Sequence, residues 1–240
     1  MISRIVIQLR TQSKESVNYN VGSALQGVLM NVMDGDYATK MHEQKLNPYS
    51  QYFYRCGKRM YWVINTLTEE ARQYIISPFL ENKCGEFFIK HKSKEFVPSV
   101  VAVKDINYEK LNKKSSSSYI EVDFVTPTAF KSKGEYTFMP DVKLILNSLI
   151  NKYKTFHQDV DEEMVENLNE KVKIIEYDIK SAKFGVEGRK IPAFMGSVKF
   201  NISKCTPEEK DFVHMLFNFG EYCGIGIKTS MGMGAICIKK

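Results

Sequence analysis

Near its C-terminus the chain reads Cys-GIGIKTSMGMG-Ala-Ile, with Gly224 and Gly226 ahead of a polar centre of Lys228, Thr229 and Ser230, and Gly232 and Gly234 behind it. Glycine admits positive φ and close backbone approach. Four glycines around a lysine and two hydroxyls can lay backbone N–H groups and a cation against a phosphate. The same residues could also form a turn that is glycine-rich only because it packs tightly. The common phosphate loop needs G-x-x-x-x-G-K-[S/T] between a strand and a following helix. That string is absent here, and the order is reversed, with a helix before the loop and a strand after it.

A second group lies upstream. His42, Lys45 and Tyr49 fall within eight residues, followed by Ser50. A histidine, a lysine and a phenol make an acid–base cluster that brings no metal ligand. The other histidines fit plainer roles. His91, in the lysine-rich strand end KHKSK, and His214, off the apolar stripe of its helix, read as surface residues. His157 ends a helix, where a cation suits the dipole. The chain has no H-E-x-x-H, no paired carboxylate spacing and no G-x-S-x-G, so no metal site, cofactor motif or activated serine is expected. An enzyme built from these residues would act on phosphates without a metal. On RNA the substrate's own 2′-OH would attack the adjacent phosphate, a histidine would move the proton and a lysine would steady the charge.

The elements that hold these residues can be read from periodicity. Residues 2–10 alternate as a strand. Val21, Leu25, Val28, Leu29, Val32 and Met33 make a helical stripe, broken at Asp34-Gly35-Asp36 and followed by a short helix, YATKMHE. Runs 49–56 and 59–66 form a hairpin around Gly57-Lys58. Thr68 caps a helix, and GEFFIKHK (85–92) and EFVPSVVAVK (95–104) give further strand. KKSSSS (113–118) is the linker candidate. SYIEVDFV (118–125) is a strand stopped by Thr126-Pro127. Asp141 caps a helix that continues through the acidic stretch. Residues 172–184 and 191–202 are two strands. Thr206, Pro207 and Glu209 open the last helix with a capping box, with Phe212, Met215, Leu216 and Phe219 on its apolar face. Each half therefore reads β-α-β-β-α-β. The fold class is α+β, two tandem ferredoxin-like domains divided as 1–112 and 113–240. This topology is shared with RNA-recognition modules, but the interleaved aromatics and glycines of a plain RNA-recognition motif are not visible.

Composition narrows the setting. The chain has 240 residues, 43% hydrophobic, with a net charge of +6. Residues 159–170 hold six acids and no base, whereas 171–240 hold 12 Lys/Arg against 7 Asp/Glu. Basic partners for RNA are thus expected in the C-terminal part, including Arg189 and Lys190. Five cysteines without C-x-x-C spacing suit reduced thiols in a cytoplasmic protein. The N-terminal stretch reads as a strand rather than a signal peptide, and no run approaches a membrane span, so no membrane partner is expected.

These motifs together resemble the CRISPR repeat-processing endoribonucleases of the RAMP superfamily. The Gly224–Gly234 string matches their glycine-rich loop. FVTPTAF (124–130) resembles the segment opening their second domain, and IPAFMGSVKF (191–200) a strand region where Ala193 replaces a common glycine. MHEQKLNPYSQYF (41–53) is similar to the segment that carries their catalytic histidine. The resemblance implies twin ferredoxin-like domains and metal-independent cleavage of CRISPR repeat RNA, leaving 5′-hydroxyl and 2′,3′-cyclic phosphate ends, with no cofactor. His42 matches the family histidine, and Lys45, Tyr37 and Tyr49 are candidate assistants. The implied RNA contacts are Gly224, Gly226, Lys228, Thr229, Ser230, Gly232 and Gly234. Subunits of a CRISPR effector complex or a second copy of the chain are further possible partners. A non-catalytic RNA-binding subunit of such a complex is the alternative reading.

Overall fold

The computed structural model describes residues 1–12, 17–89, 94–112, 117–186 and 188–239. The chain separates into two compact units. One comprises Met1–Ile106 with Ser230–Gly232, and the other Asn107–Thr229 with Met233–Lys240. The sequence reading divides the chain at 112/113. Residues 113–116 of the Lys-Ser run, and His91, lie outside the described residues.

The first unit begins with β1 (Ile2–Arg10), α1 (Gly22–Val32), α2 (Gly35–Glu43), β2 (Tyr49–Cys56) and β3 (Arg59–Thr66). It continues with α3 (Glu69–Ala71), a π-helical turn (Arg72–Ile76), α4 (Ser77–Leu80), β4 (Phe87–Ile89) and β5 (Lys94–Ile106). Its sheet has the order β2-β3-β1-β5-β4. Strands β2, β3, β1 and β5 are the four ferredoxin-like strands, and β4 is an added short strand hairpinned onto β5. The strand predicted over 85–92 thus shrinks to three described residues. Alternation decides which way β1 faces. Ile5, Ile7 and Leu9 are buried in one core with Leu25 and Leu29 of α1 and with Val21, which immediately precedes that helix. The β2–β3 hairpin closes at Gly57, whose φ of 58° suits the tight turn.

The second unit has β6 (Tyr119–Thr128), a small hairpin of β7 (Phe130–Ser132) and β8 (Glu135–Thr137), α5 (Val142–Phe156) and α6 (Glu162–Lys171). Then come β9 (Lys173–Val186), β10 (Arg189–Asn201), α7 (Pro207–Cys223) and β11 (Ile236–Ile238). The sheet order is β11-β6-β10-β9, the same four-strand arrangement as in the first unit. Three expectations change here. Strand β6 does not stop at Thr126-Pro127 but runs on to Thr128, because Pro127 is needed only for its carbonyl, which accepts from Gly234 N at 3.0 Å. The acidic stretch is not a continuation of α5. Asp161 accepts from Glu163 N and starts a separate helix, while His157 caps α5. The β7–β8 hairpin was not predicted.

Helix α7 follows its sequence signature. Thr206 accepts from Glu209 N, and Glu209 reaches back to Thr206 N at 2.8 Å, with Pro207 in the first turn. Of the predicted stripe Met215, Leu216 and Phe219 are buried and Phe212 is half-buried, while Val213, Phe217 and Gly220 join the buried face. Among the described residues no helix is long and apolar enough to cross a membrane.

Candidate functional site

His42 stands in the last turn of α2 and its side chain is exposed. The local sequence explains this. Asp34 caps the helix by accepting from Asp36 N, and Tyr37 and Met41, four residues apart, are the buried positions. The residue after Met41 is turned about 100° from it and emerges toward solvent. Helix α2 is fixed further by the Tyr37 ring, stacked on Tyr74 with centroids 4.5 Å apart. Lys45 lies just beyond the helix and is also exposed.

The two tyrosines do not join them at the surface. Tyr37 is 4% exposed and Tyr49 is 1% exposed. Burial raises the Tyr37 phenol, with the Glu70 carboxylate adding to the effect. Burial also pushes the Tyr49 phenol up to about 12, opposed by hydrogen bonds with Gln26 and Ser230. Both phenols are thus buried, whereas the His42 and Lys45 side chains are exposed. Tyr49 is a structural partner of Ser230.

The glycine loop departs from its simplest reading. Gly224, Gly226, Gly232 and Gly234 all adopt positive φ, as does Lys228 at 54°. Their close approach is to the protein's own backbone. A Cβ on Gly226 would collide with Ala129 O, and one on Gly234 with Ile225 O. The N–H groups are largely spent within the second unit. Ile225 N donates to Gly234 O at 2.8 Å, Gly226 N to Ser148 Oγ at 2.8 Å and Ile227 N to Ala129 O at 3.0 Å. Gly234 N donates to Pro127 O, and Ala235 N to Thr126 Oγ1 at 2.9 Å. The Thr-Pro-Thr segment and the glycine loop, read separately in the sequence, are thus partners in space. Close packing against the protein's own chain accounts for glycine at 224, 226 and 234. Thr229 is buried, and Lys228 and Ser230 are half-buried.

Two residues missed by sequence reasoning secure the loop. Lys152 and Ser148 lie one helical turn apart on α5. Lys152 is 4% exposed, and its Nζ donates to Gly224 O at 2.7 Å, Cys223 O at 3.3 Å and Gly226 O at 3.4 Å. Those carbonyls include the end of α7, where a cation meets the negative end of the helix dipole. Burial lowers the Lys152 ammonium from its ordinary value and pushes the adjacent Cys223 thiol up to about 12. The signal was present, because Lys152 falls on the apolar face of α5 with Ile145 and Leu149. Arg189 and Lys190 open β10 opposite Val186 and Gly185, with exposed side chains. Among the described residues no three His, Cys, Asp or Glu side chains gather as a metal site.

The paired βαββαβ units define a protein of two ferredoxin-like folds with a C-terminal glycine loop, and comparison with known proteins narrows this further. A family model described as CRISPR-associated endoribonuclease Cas6 matches residues 122–236. The chain is 33% identical over 229 residues to the CRISPR-associated endoribonuclease Cas6 of Mycobacterium tuberculosis, covering 91% of this chain and 72% of that one. It is 32% identical over 225 residues to the CRISPR-associated endoribonuclease Cas6 of Streptococcus thermophilus, covering 89% of each. A solved Cas6 product complex shares the fold at a TM-score of 0.85 and 21% identity, over 100% of both chains. The chain belongs to the CRISPR-associated endoribonuclease Cas6 family. Of the two readings the sequence left open, the endoribonuclease stands and the non-catalytic subunit gives way.

Proposed function

We propose that this endoribonuclease cuts CRISPR precursor RNA within its repeat, without a divalent metal, to release guide RNAs. The 2′-OH on the 5′ side of the cut attacks the adjacent phosphorus. The P–O5′ bond breaks, leaving a 2′,3′-cyclic phosphate on one fragment and a 5′-hydroxyl on the other. His42 takes the 2′-OH proton or delivers one to the leaving oxygen, and Lys45 stabilises the charge that builds on the phosphate. The observation that carries this reading is the exposure of His42 on a helix end held firmly by buried Tyr37 and Met41, with an exposed lysine three residues on. Exposed Arg189 and Lys190 supply backbone charge for the same RNA.

The test is incubation of the purified protein with repeat RNA from its own genome, in EDTA, with analysis of the product ends. Cleavage at one site with a cyclic phosphate supports the reading. Intact RNA in EDTA that is cut on adding magnesium would replace the transesterification with a metal-dependent route.

A further inference from the structure

Tyr49 and Gln51 are alternate residues of β2, so their side chains share one side, and Asn47 lies two residues ahead of the strand. All three reach Ser230, which belongs to the same compact unit. Asn47 Nδ2 donates to Ser230 Oγ at 3.3 Å, and the Tyr49 hydroxyl shares a hydrogen bond with the Ser230 side chain. Gln51 Nε2 donates to Ser230 O at 2.8 Å and to Gly22 O at 3.1 Å. The Gln51 amide has a fixed orientation, because the Trp62 indole N–H donates to its Oε1. Gly22 then admits the next stretch of loop, since a Cβ there would lie 2.5 Å from Met231 O.

This is a costly arrangement for a core. Gln51 and Tyr49 are each 1% exposed, and a buried polar side chain is tolerated only when its hydrogen bonds are met. Apolar residues could fill the same space. What the polar row adds is the defined position of one serine. We propose that Asn47, Tyr49 and Gln51 are positioning residues, a clamp on Ser230 that sets the Ser230–Gly232 stretch for the RNA backbone. The stretch 42–51 then does two jobs. It bears His42 and Lys45, and it fixes Ser230–Gly232 of the glycine loop. The inference rests on the proposed function and gives Tyr49 a role other than proton transfer.

The experiment compares Tyr49→Phe, Ser230→Ala and the double variant. Single-turnover cleavage is measured at saturating enzyme, alongside repeat-RNA affinity and melting temperature. Each single change is expected to slow cleavage about 10- to 100-fold, the scale of a small misplacement of reacting groups. The double variant is expected to be no slower than the worse single, because both remove one shared contact. Multiplicative losses would overturn the clamp, since the two hydroxyls would then act separately. A lower melting temperature with an unchanged rate would also overturn it, leaving only packing. If the parent protein itself leaves repeat RNA intact, the proposed function fails, and amide hydrogen exchange over residues 230–232 judges the clamp. Faster exchange in Tyr49→Phe supports it, and unchanged exchange removes it.

Discussion

Lys152 Nζ lies 2.7 Å from Gly224 O, inside a core where the lysine is 4% exposed. The carbonyls it serves close α7 and open the glycine loop, so one ammonium from α5 ties the helix end to the loop. At neutral pH Lys152→Met is expected to destabilise the protein by about 1–3 kcal/mol, the cost of leaving buried carbonyls without a donor. The pH dependence gives a sharper test. Burial lowers the Lys152 ammonium below its ordinary value of 10.5. Between that lowered value and 10.5 the unfolded chain holds more protons than the folded one. Stability from Lys152 therefore rises with pH across that window, by at most about 1.4 kcal/mol per pH unit. Urea unfolding of the parent and Lys152→Met at stepped alkaline pH should show the parent's advantage widening. A constant or shrinking advantage would mean that Lys152 stays charged in the fold.

Gly226→Ala should fail through folding rather than through RNA contact. The backbone φ there is 84°, and the added methyl would collide with Ala129 O. Strain at positive φ and overpacking together cost about 2–5 kcal/mol. The expected result is a lower urea midpoint, with RNA affinity of the folded fraction near that of the parent. A variant of parental stability that no longer binds RNA would return this glycine to the RNA interface.

The elements legible in the sequence are those specified locally. The Thr206–Glu209 capping box, the Gly57 hairpin and the alternation of β1 each need only neighbouring residues, and each appears in the structure as read. The break between α5 and α6 was hidden because the acidic residues after His157 keep helical propensity, and only the Asp161 cap marks the restart. The β7–β8 hairpin turns at Lys133-Gly134, both at positive φ, a signal too short to stand out. At the site, the glycine loop and the His42 segment were visible as strings. Their partners were not, because Pro127, Ala129, Ser148 and Lys152 approach the loop only through tertiary folding. The burial of Tyr37 and Tyr49 was equally invisible, since a tyrosine looks the same in sequence whether its hydroxyl faces RNA or a core glutamine.

His42→Ala should separate catalysis from binding. The side chain is exposed and follows the last buried residue of α2, so its loss leaves the helix packing of Tyr37 and Met41 intact. Single-turnover cleavage of repeat RNA is expected to fall about 10²- to 10⁴-fold, the usual worth of a positioned acid or base. Affinity and melting temperature should stay close to parental. Cleavage at the parental rate would move the proton-transfer role to another residue.

Lys228 offers the clearest measurement of whether the loop apex meets RNA. It is half-buried and holds a φ of 54°, a conformation that costs a non-glycine residue about 1–2 kcal/mol. Its carbonyl accepts from Met233 N at 3.3 Å, which helps hold that conformation. Lys228→Ala keeps the backbone cost and removes the charge and stem. If the ammonium neutralises a phosphate, the variant should bind repeat RNA more weakly at low salt. The slope of log affinity against log salt should also flatten by about 0.7 to 0.9, one counterion's worth. Lys228→Gly is the companion variant. It lacks the same charge but relieves the backbone cost, so it should melt higher than Lys228→Ala while showing the same flattened slope. Parental affinity and slope in both variants would mean that the lysine stem packs the loop and that the phosphate contact lies elsewhere.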